Sequence, residues 1–220
     1  MRAAMASGGA STEPIYRAVL SLTKALSLSG DVLDFGAGTG AMIERLLASG
    51  FTGTLTGTDI VPRPIGIPDG IRWLASDLNE PLSLPTSSFD AIIATEVIEH
   101  LENPRAAFRE FHRLLRPGGT LVVTTPNQES VRSLVALLAR GHFVDFLDGS
   151  YPAHITALVR KDFERIAAEA GFEQPSFFYT DDGGVPRLPT VTWQAVSFGL
   201  LRGRFFSDNL LVVAHRDARC

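Results

Sequence analysis

Residues 32–40, VLDFGAGTG, constrain this chain more than any other segment. An apolar run ends beside an acid, Gly36, Gly38 and Gly40 alternate, and a stretch with helical spacing follows. Glycine recurs like this where backbone must turn tightly and approach a ligand with no Cβ in the way. Strand, glycine loop and helix in this order open a βαβ unit that binds a nucleotide-like ligand. The rest of the chain must then supply more parallel strands and the helices that cross between them.

The pattern supplies them. Apolar strand candidates lie at 31–35, 54–58, 71–75, 89–94, 120–124, 176–179 and 210–214. Helical spacing marks 41–48, with Ile43, Leu46 and Leu47 on one face. Asn103-Pro104 can cap and start another helix, whose stripe is Ala107, Phe108, Phe111, Leu114 and Leu115. Pro117-Gly118-Gly119 stops it, and a last helix runs over 162–170 toward Gly171. The expected fold is α/β: a Rossmann-like, doubly wound, mostly parallel seven-stranded sheet with helices on both faces and a lid insertion. At 220 residues the chain is one domain with a surplus. Residues 1–14 read as a flexible N-terminus and 15–220 as the domain, with elaborations at 127–161 and 181–207.

Composition narrows the partners. Lysine and arginine number 20 against 24 acids, a net charge of −4, which weighs against DNA and against RNA. Arg105, Arg109, Arg113 and Arg116 share a stripe that could attract phosphate, but the apolar stripe takes the sheet side, so they read as a solvated face. No apolar leader and no 18-residue apolar run is present. The one cysteine, Cys220, allows no internal disulfide and suits a reducing compartment, so a cytoplasmic protein is expected.

The carboxylates choose among ligands. Asp59 lies 19 residues after Gly40, where it can accept both hydroxyls of a ribose. Gly36-x-Gly38-x-x-Ala41 also satisfies the dinucleotide fingerprint, so a nicotinamide-dependent oxidoreductase stays open on the glycines alone. Asp34 argues the other way: an acid at the mouth of the loop repels a pyrophosphate and suits an ammonium. Asp77 follows the third strand, within reach of an adenine edge. Three strand-end acids fit a nucleoside that carries an amino acid, as S-adenosylmethionine (SAM) does.

The segments VLDFGAGTG (32–40), TGTDI (56–60), ASDLNEPLSLPTSSFDAIIATEVIEHL (75–101) and LLRPGGTLVVTTPN (114–127) resemble class I SAM-dependent methyltransferases, within them the ubiquinone-biosynthesis O-methyltransferases of the methyltransferase type 11 group. The resemblance spans roughly residues 20–127, more weakly 154–172 and 207–216. It implies that Gly36, Ala37, Gly38 and Gly40 wrap SAM, with Asp34 and Phe35 at its methionine end. It further implies Asp59 and Ile60 at the ribose, Asp77 and Leu78 around the adenine, and Glu96 and Val97 beside the sulfonium. The implied reaction is methyl transfer to a small-molecule or lipid-like acceptor, at oxygen; a non-catalytic SAM-binding protein is the remaining reading of an enzyme-like loop.

Glu96, Glu99 and His100 of EVIEH fall at i, i+3 and i+4, so one helical turn would put all three on one face. Carboxylates with an imidazole can hold a divalent ion such as Mg and acidify a bound hydroxyl. The same pattern resembles metal-dependent RNA 2′-O-methyltransferases, which use a further downstream histidine; His154 is the candidate here. Without a metal, His100, with Glu96 nearby, would act as the catalytic base. His112, His142 and His215 are given no role. In the elaborations, Leu134, Leu137, Leu138, Phe143 and Phe146 are expected to line an apolar pocket or to pack on the core. An interfacial helix resting peripherally on a membrane is the third option, for 131–147 and for Trp193 to Leu201 with Arg202 and Arg204. Oligomeric state has no signature in the sequence.

Overall fold

A computed structural model describes residues 9–218. Most of the N-terminal stretch expected to be flexible, and Cys220, lie outside them. Helix α1 (Glu13–Ala25) precedes β1 (Asp31–Phe35), α2 (Ala41–Ala48), β2 (Thr54–Asp59), β3 (Arg72–Ala75) and β4 (Phe89–Thr95). A 3-10 turn (Ile98–His100), α3 (Pro104–Leu114), β5 (Leu115–Pro126) and α4 (Val131–Arg140) come next. Helix α5 (Arg160–Ala170), β6 (Ser176–Tyr179), β7 (Gly184–Val185), β8 (Leu188–Thr192), the short α6 (Trp193–Val196) and β9 (Asn209–His215) complete the chain.

Seven strands form one sheet in the order β3-β2-β1-β4-β5-β9-β6. All its pairings are parallel except those of β9 with β5 and β6, so the expected architecture is present. The inner strands β1, β4 and β9 are buried on both faces, which is why they read as near-continuous apolar runs, whereas the edge strands β3 and β6 stay partly exposed. One core layer gathers Phe35, Phe108, Phe111 and Phe163, with Phe35 meeting Phe111 edge-on at 4.8 Å. The other packs α1 and α2 on the sheet through Val19, Ile43 and Leu46. Strand order reverses between β1 and β4, and ligands of open α/β sheets bind at that switch, beyond the carboxyl ends of the strands.

Two local expectations need correction. The N-terminal boundary is too late: Glu13 and Pro14 already belong to α1, and Gly9 accepts a hydrogen bond from Thr39 N (2.9 Å) on the glycine loop. Leu115 and Arg116 belong to β5, not to the helix before it, although the Asn103 cap on Ala106 N (3.0 Å) is as expected. Three arginines of the stripe pair with acids on the outer face expected for it: Arg105 with Glu169, Arg113 with Glu110, and Arg116 with Asp31 and Asp90. Phosphate recognition therefore finds little free charge there.

Candidate active site

A cavity of about 940 Å³ opens at the switch point. The carboxyl ends of β1, β2 and β4 and the turn after β3 bring Asp34, Asp59, Glu96 and Asp77 to its wall. Gly36, Ala37, Gly38, Ile60, Leu78 and Val97 join them. Two expected residues stand back from it. Gly40 is the left-handed N-cap of α2, and Phe35 turns into the core, because adjacent strand residues face opposite sides of the sheet.

The glycine loop is held from both sides. Gly36 N and Ala37 N donate to Thr58 O (2.8 and 3.0 Å), and Gly38 N donates to Asp59 Oδ2 (2.8 Å). Gly36 has φ +80°, and a Cβ there would collide with Val97 Cγ2. Gly38 has φ +51°, and its would-be Cβ falls on the Gly9 carbonyl. Gly36→Ala is therefore expected to cost about 3 kcal/mol, from left-handed strain plus overpacking. Thermal unfolding would read this as a Tm lowered by roughly 10 °C; an unchanged Tm would mean that the loop relaxes freely.

Asp34 is buried, and its Oδ2 has no hydrogen-bond partner among the described residues. Burial, and then the nearby Asp59 carboxylate, push its pKa up to about 7. A buried acid aimed at a cavity without a partner is a receptor for a cation or a hydrogen-bond donor. Asp59 keeps acceptor capacity: a carboxylate offers about four lone-pair positions, and the structure uses two, for Gly38 N and Val61 N (3.1 Å). Asp77 accepts from Asn79 N (3.0 Å) and Nδ2 (3.2 Å), which fixes the turn over that end of the cavity.

Glu96, Glu99 and His100 do not share one helical face. Glu96 takes a left-handed backbone (φ +54°), and only Ile98–His100 coil. Its oxygens accept from Thr124 Oγ1 (2.8 Å) and Asn209 Nδ2 (3.1 Å). Glu99 instead meets His100 and His154, with one ligand atom from each lying within 4.8 Å of the others. Glu96 is outside that group. Both Glu99 oxygens are buried with no partner among the described residues. Burial, and then Glu96, hold the Glu99 carboxyl well above its usual range.

Both imidazoles are oriented by carbonyls. His100 Nδ1 bonds Ala153 O (2.7 Å) and His154 Nδ1 bonds Asp145 O (2.6 Å). Each Nδ1 must then carry the proton, leaving both Nε2 atoms as lone-pair donors, the arrangement that supports a metal-ligating histidine. Burial lowers the His100 pKa and favours this neutral form.

Sequence reasoning missed part of the wall. Ser11, Thr12, Ile15 and Tyr16 line the cavity from the N-terminal side, and Tyr151, Pro152 and Ile155 from the second half. Ser11 N donates to Tyr16 Oη (2.8 Å), which ties the segment to α1. Thr12-Glu13-Pro14 followed by Ile15, Tyr16 and Val19 was the available signal for a helix start. Leu134, Leu137 and Leu138 neither line the cavity nor enter the core; Leu138 is 88% exposed. Phe146 does approach the site, with its ring 5.4 Å from that of His154.

Residues 11–174 match the family model described as a methyltransferase domain. The ubiquinone biosynthesis O-methyltransferase of Xylella fastidiosa (strain M23) is 31% identical over 156 residues, 63% of each chain. The chain thus spans less than two thirds of the length of that relative. Among solved structures, a SAM-dependent methyltransferase from Archaeoglobus fulgidus superposes with TM-score 0.62 at 19% identity, covering 91% of this chain and 94% of its own. The 1,6-didemethyltoxoflavin-N1-methyltransferase of Burkholderia thailandensis, solved with S-adenosylhomocysteine, gives TM-score 0.60 at 19% identity, covering 93% and 79%.

Proposed function

The chain belongs to the methyltransferase domain family, and we propose that it transfers the methyl group of SAM to the oxygen of a small-molecule or lipid-like acceptor. The observation that carries the reading is the unpartnered Asp34 carboxylate beside the glycine loop, in one cavity with Asp59 and Asp77. The three acids match the ammonium, the ribose and the adenine of one ligand. A pyrophosphate in the same place would face Asp34, which disfavours a nicotinamide cofactor. When bound, SAM supplies an activated methyl group and its own leaving group, so the protein's part is to position and desolvate. In this reading Gly36 to Gly38 admit close backbone approach, and Glu96 and Val97 fix the floor beneath the methyl.

Glu99, His100 and His154 fit a divalent ion: two oriented Nε2 atoms and an unpaired buried carboxylate. A bound ion would lower the pKa of a coordinated acceptor hydroxyl. Two imidazoles suit a transition ion such as Mn, Fe, Co or Zn better than the Mg expected from the sequence. The choice of oxygen rests on this cluster and on the similarity to an O-methyltransferase; the nitrogen-methylating relative shows that the fold alone does not choose.

The Asp34 assignment has a pH signature. Its ionised form binds the ammonium, so affinity falls as pH drops below about 7. Between pH 7 and 5.5, SAM affinity measured by isothermal titration should fall by about tenfold. The Asp34→Asn variant should bind weakly at both values with no such slope. A wild-type affinity flat over this range would remove Asp34 from the ammonium site.

A further inference from the structure

The wall of the cavity is one-sided in charge. Asp34, Asp59, Asp77, Glu96, Glu99 and Glu102 line it, and among the described residues no lysine or arginine does. Nearby cations are turned elsewhere. Arg63 lies between the wall residues Pro62 and Pro64, yet its guanidinium donates to the carbonyls of Ile67 (2.9 Å), Pro68 (2.7 Å) and Ile71 (2.6 Å). Arg45 sits 4.1 Å over the ring of the wall residue Tyr16 and pairs with Glu13 (2.8 Å). A cleft lined by one sign of charge concentrates the opposite sign and repels its own.

SAM accounts for Asp34, Asp59 and Asp77, which leaves three acids for the acceptor. Glu96 is held by Thr124 and Asn209. Glu99 is fully buried, and both its oxygens are unpartnered among the described residues. Glu102 is exposed; its backbone N–H donates to Asn79 Oδ1 (2.9 Å), and its carboxylate has no partner among the described residues. The turn that carries Glu99 and Glu102 is fixed to the first elaboration: Ile155 N and Thr156 N donate to Glu99 O (3.0 Å each), and Thr156 Oγ1 to Leu101 O (2.7 Å). The elaboration adds Tyr151 to the same wall, 73% exposed. A free carboxylate and an aromatic ring recognise an ammonium, whereas a phosphate or carboxylate on the acceptor finds no cation here. Selection of this kind works by repulsion as much as by attraction.

We propose that the acceptor is a hydroxyl-bearing amine. Its hydroxyl turns toward Glu99, His100 and His154, its ammonium stays at the outer wall with Glu102, and acceptors bearing phosphate or carboxylate are rejected. An ion on Glu99 and the two histidines would leave Glu96 and Glu102 in place, so the preference survives metal loading. The assignment of ends rests on the methyltransferase reading.

The test is isothermal titration of three phenols into protein saturated with S-adenosylhomocysteine. Tyramine, tyrosol and 4-hydroxyphenylacetate are matched probes that end in an ammonium, a hydroxyl and a carboxylate. Tyramine is expected to bind about fivefold more tightly than tyrosol, and 4-hydroxyphenylacetate about fivefold more weakly, the scale of one partly exposed charge interaction each. Raised salt should erode both differences. Glu102→Gln should bring tyramine down to the tyrosol level, with SAM affinity as the check that the cavity is intact. Binding of 4-hydroxyphenylacetate as tight as that of tyramine overturns the proposal, as does a Glu102→Gln variant that keeps the tyramine advantage. A protein that binds SAM but none of the three phenols overturns it too, and leaves the methyltransferase reading standing. A protein that binds neither SAM nor S-adenosylhomocysteine removes that reading, and the proposal with it.

Discussion

Asp59→Asn should lower SAM affinity by about 100-fold, on the scale of two charge-assisted hydrogen bonds lost to a ribose. Asparagine keeps one carbonyl oxygen for Gly38 N, which Asp59 Oδ2 now serves at 2.8 Å. The loop can therefore stay in place while the charge and the second acceptor go. Asp59→Ala adds an orphaned buried N–H and should be worse on both counts, with a lower Tm as well as weaker binding. Isothermal titration beside thermal unfolding separates the two effects. An Asp59→Asn variant that binds SAM like wild type would place the ribose elsewhere.

His154→Ala should reduce methyl transfer by about 100-fold or more while leaving SAM affinity unchanged. The reason is its place opposite Glu99 and His100, with its Nδ1 proton fixed on Asp145 O. Chelator treatment of the wild type should give a similar loss, restored by Mn²⁺. Metal content supplies a readout independent of turnover: one ion per chain in wild type after loading, and none held by the variant. Activity indifferent to chelator, with His100→Ala inactive, would instead make His100 the base acting on the acceptor directly.

Much of the fold is legible because its physics is local. Strands buried on both faces are apolar throughout, so FDAIIA reads as a strand without help. The glycines and the acids at the ends of β1 to β3 are legible because only a narrow chemistry needs them together. Elsewhere tertiary context decides. Phe35 sits beside Asp34 in sequence, yet the strand's period of two sends it to Phe111. Spacing alone put Glu96 on one face with Glu99, whereas a left-handed residue breaks the turn and gives Glu96 to Thr124 and Asn209. The α4 leucines follow a helical period, but the inward side of that helix is polar, where Ser133 Oγ donates to Gln128 Oε1 (3.1 Å). Periodicity identifies a face; it does not say what covers it.

The central claim is that three acids and a glycine loop form a receptor for SAM. Titrating the wild-type protein with SAM, and separately with NADH, tests it most directly. The expected result is one SAM bound per chain and no detectable heat with NADH. NADH binding without SAM binding would contradict the account and make the loop a dinucleotide site.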